Sequence, residues 1–271
     1  MDKRPVSRFC AVVIAGLALA AVGFAQKPNP EIPPVGKRIK LFNGKNFDGL
    51  EIFARDIVRD RAETTAYVTP LNSDPDRVFR VHDGMLHISG TAYGWAATTK
   101  EYRDYYLRAE VKWGEGTFAP RKDVARDSGL LYHMTGEHKY WPHAIEFQIM
   151  EGSMGDIILL QGPTVTVKGE TKGRGRFDRI GKGPFKNVAG HVDPTGLEKP
   201  HGEWNVLEYV TDGNHIKYWV NGKFVNEGVA TVDHGKILFQ SEGAEVYFRN
   251  MELRPLKKSK NSSSVPAQTL R

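Results

Sequence analysis

Cysteine is almost missing from this 271-residue chain, with Cys10 the only one. No disulfide can hold the chain together, so its stability must come from packed secondary structure. Long apolar runs are equally scarce. The one present, Phe9 to Ala25, follows Lys3, Arg4 and Arg8 and ends in Gly23-Phe24-Ala25 before Gln26. That is the pattern of a secretory signal peptide over residues 1–25, which predicts an exported, periplasmic or extracellular protein with no membrane span after cleavage. A sustained charge excess is lacking too. The formal net charge is +6, but the surplus sits in the leader and in the tail from Lys257 to Arg271. From Gln26 to Leu256 acids and bases are equal in number, so composition implies no phosphate-tracking face and no nucleic-acid partner. Helical periodicity is absent as well, and there is no repeat in the range of roughly 20 to 50 residues.

What the chain has in quantity is turn residues, Gly 28 and Pro 15. Asn43-Gly44, Asp83-Gly84, Asp212-Gly213 and Asn221-Gly222 each adjoin β-rich runs. Met85–Ile88, Tyr105–Trp113 and His215–Val220 alternate polar and apolar residues, as half-buried strands do. The pattern predicts an all-β domain over residues 38–256, a two-sheet antiparallel β-sandwich. Residues 26–37 read as a proline-rich spacer and 257–271 as a solvated basic tail. Lys168–Lys199 is rich in Gly and Lys and reads as a long loop, either a lid or an insertion.

The densest candidate site is Trp141–Gly152 (WPHAIEFQIMEG). In an extended strand Ile145, Phe147 and Ile149 share the core face, which puts Glu146, Gln148 and Met150 on the other. The string EFQIME has the E-x-D-x-x-E spacing of laminarinase-type retaining glucanases, with Gln148 in place of the middle aspartate. By that likeness Glu146 and Glu151 would be the two carboxyl groups, which a retaining mechanism needs about 5 to 5.5 Å apart.

Seven ordered blocks resemble a different family more closely. They are LFNGKNFDGLEIF (41–53), FRVHDGMLHISG (79–90), TTKEYRDYYLRAEVKW (98–113), RDSGLLYHM (126–134), IEFQIMEGSMGDIILL (145–160), GEWNVLEYVTDGNHIKYWVNG (202–222) and ILFQSEGAEVYFRNMEL (237–253). Together they look like the 3-keto-disaccharide hydrolase domain family, which implies a concanavalin A-like jelly roll and sugars oxidised at carbon 3. The chain departs from the family pattern at Leu50-Glu51, where a tryptophan is common after Asp-Gly. It departs again at Asp127 for asparagine, His133 for arginine, and Ser241-Glu242 for Asp-His.

The implied chemistry fixes what a site would need. A C3 ketone acidifies the C2 proton. A base can then form an enolate that expels the C1 oxygen, with an acid for the leaving group and a donor or metal for the enolate oxygen. Glu146 is the first candidate for base or acid and His133 the second titrating group, unless His133 is a hydrogen-bonded core histidine. Gln148, Gln240, Glu242 and Arg249 are candidates to bind sugar hydroxyls or the carbonyl, Arg249 alternatively forming a structural ion pair. Trp95, Tyr132 and Trp141 are candidate platforms for pyranose faces, whereas Trp113, Trp204 and Trp219 lie in strand patterns and read as core residues. Glu151 would bind substrate or, with Asp156, supply oxygen ligands to a divalent cation; a plain strand-ending turn is the alternative. His138 and His143 flank Trp141 as further ligands or rim residues. The expected partner is an oligosaccharide or glycoside, with a retaining β-glucanase or a non-catalytic glycan-binding module as the other readings.

Overall fold

The computed structural model of the protein describes residues 31–55 and 69–257. The expected signal peptide with Cys10, the first part of the spacer and the basic tail beyond Lys257 lie outside those residues. Among the described residues every regular element is a strand, and the strands form the two antiparallel sheets that the alternation predicts.

The larger sheet has β12 (Glu170–Lys172), β11 (Val165–Val167), β16 (Lys223–Ala230), β15 (His215–Val220), β14 (Asn205–Asp212), β7 (Tyr105–Thr117), β18 (Ala244–Pro255), β4 (Met85–Ile88) and β3 (Phe79–His82) in that order, with β1 (Ile39–Lys40) also on β18. The second runs β13 (Gly175–Phe177), β10 (Ile157–Leu160), β9 (His143–Met150), β8 (Asp127–Thr135), β17 (His234–Ser241), β5 (Gly94–Thr98) and β2 (Leu50–Ala54), with β6 (Tyr102–Arg103) on β17. The EFQIM strand is therefore interior to its sheet, flanked by β8 and β10.

The core fills the space between the sheets. Leu130, Tyr132, Ile145, Phe147 and Ile149 meet Leu107, Tyr209, Tyr218 and Phe248 there. Phe147 stacks on Tyr218 with ring centroids 4.4 Å apart. Buried phenols satisfy each other, Tyr105 with Tyr209 at 3.1 Å and Tyr132 with Tyr218 at 2.5 Å, because a hydroxyl left unpaired in an apolar core is costly. Trp113 joins this core, while Trp219 anchors a smaller cluster with Tyr106 and Val210. Ile32 and Val35 pack on that cluster, so the spacer from Glu31 onward lies against the sandwich. Trp204 differs from its sequence reading. It is only half-buried, with Lys112 5.1 Å and the Arg249 guanidinium 3.9 Å from its ring centre.

Lys168–Lys199 is not one uninterrupted loop. β12 and β13 form within it, and β13 pairs with β10 at the edge of the second sheet. The irregular stretch that follows is pinned by buried charge. Arg179 pairs with Asp193 at 2.6 Å, and Lys182 with Asp156.

Candidate active site

The site grows from the outer face of the second sheet. Alternation along β9 sends Ile145, Phe147 and Ile149 inward and Glu146 and Gln148 outward, as the sequence predicts. Gln148 lies opposite Gly129 on β8. Above this face is a cavity of about 550 Å³. Asp127, Glu146, Gln148 and Glu242 line its polar side, and Trp141, Ile158 and Leu160 its apolar side. Arg174, in the link between β12 and β13, and Arg176 of β13 close one flank. A cavity of this size with few convergent polar groups has the form of a small-ligand site.

Its electrostatics are set by burial. Glu146 is 3 % exposed, and among the described residues no group donates a hydrogen bond to its carboxyl. Burial pushes its pKa well above the usual carboxylate range, the charge of Asp127 adds to this, and Arg176 and Arg121 oppose it. Asp127 is likewise raised by burial, to about 7, although Arg121 stands 2.8 Å away. Glu242, raised mainly by burial and then by Asp127 and Glu146, lies 3.7 Å from the same guanidinium. The Ile149 backbone N–H donates to Gln148 Oε1 at 3.1 Å, which leaves the amide NH2 as a donor.

Of the residues the sequence singles out, Glu146, Gln148, Glu242 and Trp141 meet in the cavity. Gln240 is buried on β17 beside β8, its Oε1 without a partner among the described residues. The other candidates lie elsewhere. His133 should share the face of Leu131, but the β8–β9 register shifts between Tyr132 and Thr135, and His133 takes φ 56°. This bulge turns the ring away from the cavity, edge-on to Tyr132 and Tyr105. The ring is fully buried, so His133 is a core histidine, and that burial holds its pKa down to about 4. Tyr132 is a core residue for the reason of parity alone: it alternates with Leu131 and faces Tyr218. Arg249 belongs to the other sheet, where its Nε donates to Glu110 at 2.6 Å. Trp95 is on the right face, yet the β8–β9 loop covers it. Its indole N–H donates to the Lys139 carbonyl and its ring stacks on Phe53.

The residues expected at a cation site are already engaged. Glu151 receives the Arg126 backbone N–H and guanidinium. Asp156 receives Arg176, Lys182 and the Arg179 backbone N–H. His138 pairs with Glu51 and His143 with Thr135. Among the described residues no cluster of three His, Cys, Asp or Glu is placed to hold a metal ion.

Asp127, Arg121, Arg174 and Arg176 are site residues that sequence reasoning did not select. Asp127 stood in view as a departure from the family pattern. The arginines come from irregular or short segments whose placement depends on strand pairing, and no local period reveals them.

A sandwich whose cavity combines buried carboxyl groups, an amide donor and an indole belongs to a carbohydrate-active enzyme, and comparison with known proteins agrees. The chain belongs to the 3-keto-alpha-glucoside-1,2-lyase-like domain family, whose profile matches residues 37–254. It is similar to two solved proteins of Parabacteroides distasonis ATCC 8503, each named "putative glycosyl hydrolase". One is 21 % identical at TM-score 0.50, covering 82 % of this chain and 100 % of that one. The other is 22 % identical at TM-score 0.49, covering 81 % and 94 %. A prokaryotic beta-1,3-1,4-glucanase (lichenase) from a mouse hindgut metagenome is 8 % identical at TM-score 0.46, covering 82 % and 100 %. These likenesses concern fold, and the concanavalin A-like sandwich expected from the sequence is the fold observed. No curated protein matches the chain.

Proposed function

We propose that this enzyme cleaves 3-keto-glycosides by removing the proton at C2 and eliminating the C1 substituent, with water able to add to the product afterwards. The observation that carries this reading is Glu146, a buried carboxyl to which no described residue donates a hydrogen bond, at the base of a cavity of disaccharide size. Its ionised form is poorly solvated there and correspondingly basic, which suits removal of a carbon-bound proton made acidic by the neighbouring ketone. The free NH2 of Gln148 and the guanidinium of Arg176 supply donors for the enolate oxygen. Trp141 offers an apolar plane to the sugar ring. The family description supports the choice of a 3-keto substrate.

Glucanase chemistry with Glu146 and Glu151 is less well supported, because Arg126 occupies Glu151 and that side chain does not line the cavity. The β8–β9 loop also covers Trp95 and Phe53, where a polymer would extend across the sheet. The signal-peptide pattern supports action outside the cytoplasm, for which a mature amino terminus at Gln26 is the check.

The test is incubation with a 3-keto-disaccharide in deuterated water. The reading requires deuterium at C2 or a glycal-like intermediate, together with cleavage, and their loss in Glu146→Gln. Turnover of unoxidised glucan without exchange would replace it with the glucanase reading, and binding without turnover with a lectin.

A further inference from the structure

We propose that Asp127 and Glu242 act as one proton-sharing pair clamped by Arg121, and that this pair is the general acid protonating the departing glycosidic oxygen. It rests on the reading of Glu146 as the base at C2 and fills the place that His133, turned into the core, leaves empty.

The geometry brings three separate segments together. Asp127 opens β8, Glu242 lies in the turn after β17, and Arg121 belongs to the β7–β8 connection. The Arg121 Nη2 is 2.8 Å from Asp127 Oδ2, and its Nη1 is 3.7 Å from Glu242 Oε1. The guanidinium is fixed by the Ala125 carbonyl at 3.2 Å and Asn187 Oδ1 at 3.3 Å. Both acids line the cavity beside Glu146. Two carboxylates facing one guanidinium in a desolvated site would leave a buried negative charge unmatched, whereas retaining one proton makes the pair and its clamp neutral together. Among the described residues the other charged or titratable groups around the pair are Glu146 from β9, Arg176 from β13, and the phenols of Tyr93 and Tyr140 with the Arg55 guanidinium over their rings. Burial raises both phenols, that of Tyr93 to about 12, so neither competes as the acid near neutrality.

The reaction then balances within the cluster. Glu146 takes the C2 proton and the C2–H electron pair forms the C2–C3 enolate. As the C3 carbonyl reforms, a C1–C2 double bond appears, the C1–O bond breaks, and its oxygen takes the proton held by Asp127 and Glu242. One proton enters the three carboxyl groups and one leaves, so their total charge is unchanged through the step.

The experiment compares two 3-keto-glucosides with the purified full chain, one with a sugar as leaving group and one with 4-nitrophenol, whose anion departs unprotonated. Asp127→Asn and Glu242→Gln should each lower kcat/KM on the disaccharide by about 10²- to 10⁴-fold. On the nitrophenyl substrate the loss should be roughly tenfold or less, and solvent deuterium should still enter C2. Nitrophenyl turnover also reports that the variants are folded. Arg121→Gln should move the alkaline limb of the pH–rate profile upward, because loss of the cation strengthens the pair's hold on its proton, and Arg121→Lys should move it less. Equal losses on both substrates, undiminished disaccharide cleavage or an unmoved limb would overturn the pair as the acid. Exchange at C2 that persists in Glu146→Gln would overturn the base while the leaving-group contrast upheld the pair.

Discussion

Glu146 lies directly over Gly129 of the neighbouring strand: a β-carbon built on that glycine would stand 2.4 Å from Glu146 Oε1. Gly129 is paired with Gln148 and carries no side chain of its own. The bare backbone there is what lets a carboxyl group lie down on the sheet at the bottom of the cavity. This glycine keeps an ordinary strand conformation, so its contribution is space and not backbone freedom.

Gly129→Ala should therefore displace the Glu146 carboxyl without unfolding the sheet. Overpacking of this kind costs about 1 to 3 kcal/mol, a drop of a few degrees in Tm. The expected loss in kcat is larger in proportion, tenfold or more, with little change in KM, since the cavity's apolar wall is untouched. Steady-state kinetics beside a thermal melt check this, and an unchanged kcat would mean that the carboxyl's resting position does not matter.

His133→Asn should keep kcat within a few-fold, because the imidazole lies against Tyr105 and Tyr132 outside the cavity. Asparagine tolerates the positive φ that the bulge imposes. Its effect belongs to stability and pH. The folded histidine has its pKa lowered to about 4, against about 6.5 when unfolded. Between those values the unfolded chain binds a proton that the folded chain refuses, so wild-type stability is full above pH 6.5 and declines as pH falls toward 4. The variant should lose that slope, as urea unfolding at pH 4.5 and 7.5 would reveal.

The strands were legible because alternation is local. Ile145, Phe147 and Ile149 announce a core face within five residues, and Glu146 and Gln148 follow on the other by parity. The same parity misplaces His133, since one added residue in a bulge reverses every direction after it. Arg249 and Arg176 show a second limit. Which arginine reaches the cavity depends on sheet order, which periodicity does not encode, and the segment bearing Arg174 and Arg176 reads as part of a loop although β13 pairs with β10. Asp127 was visible only as a departure from a family pattern, and Glu242, 115 positions further along the chain, as a departure and a candidate sugar-binding residue. Their common guanidinium is a fact of the fold.

Trp141→Ala should raise KM roughly tenfold while changing kcat little, for an indole plane on the cavity wall binds ground state and transition state alike. Trp95→Ala should do the opposite kind of damage. Its indole is packed under the β8–β9 loop, donating to Lys139 and stacked on Phe53 at 4.9 Å, so its removal should cost about 3 to 5 kcal/mol of stability. Titration with a 3-keto-disaccharide and a denaturation curve separate the two, and a KM effect confined to Trp95 would reverse the assignment of the platform.

Glu198 ties the irregular stretch after β13 to the turn that follows Glu146 and Gln148, accepting the N–H groups of Gly152 and Met154, each at 2.9 Å. Burial raises its pKa to about 7 in spite of those two bonds and Arg179, with Asp193 adding to the rise. A carboxyl whose folded pKa exceeds its unfolded value stabilises the fold fully below the unfolded value and loses that contribution as pH climbs through the folded one. Asp127, also raised to about 7, acts in the same direction. Between about pH 4.5 and 7 these two groups should make the wild type progressively less stable, opposing the His133 contribution over the lower part of that range. Glu198→Gln removes one titrating group while keeping an oxygen that can accept the two N–H bonds. The variant should gain on the wild type as pH rises, by a few degrees in Tm between pH 5 and pH 8. Melts of both proteins across that interval decide the matter: a constant difference would show that the carboxyl is ionised throughout, held so by its two backbone donors.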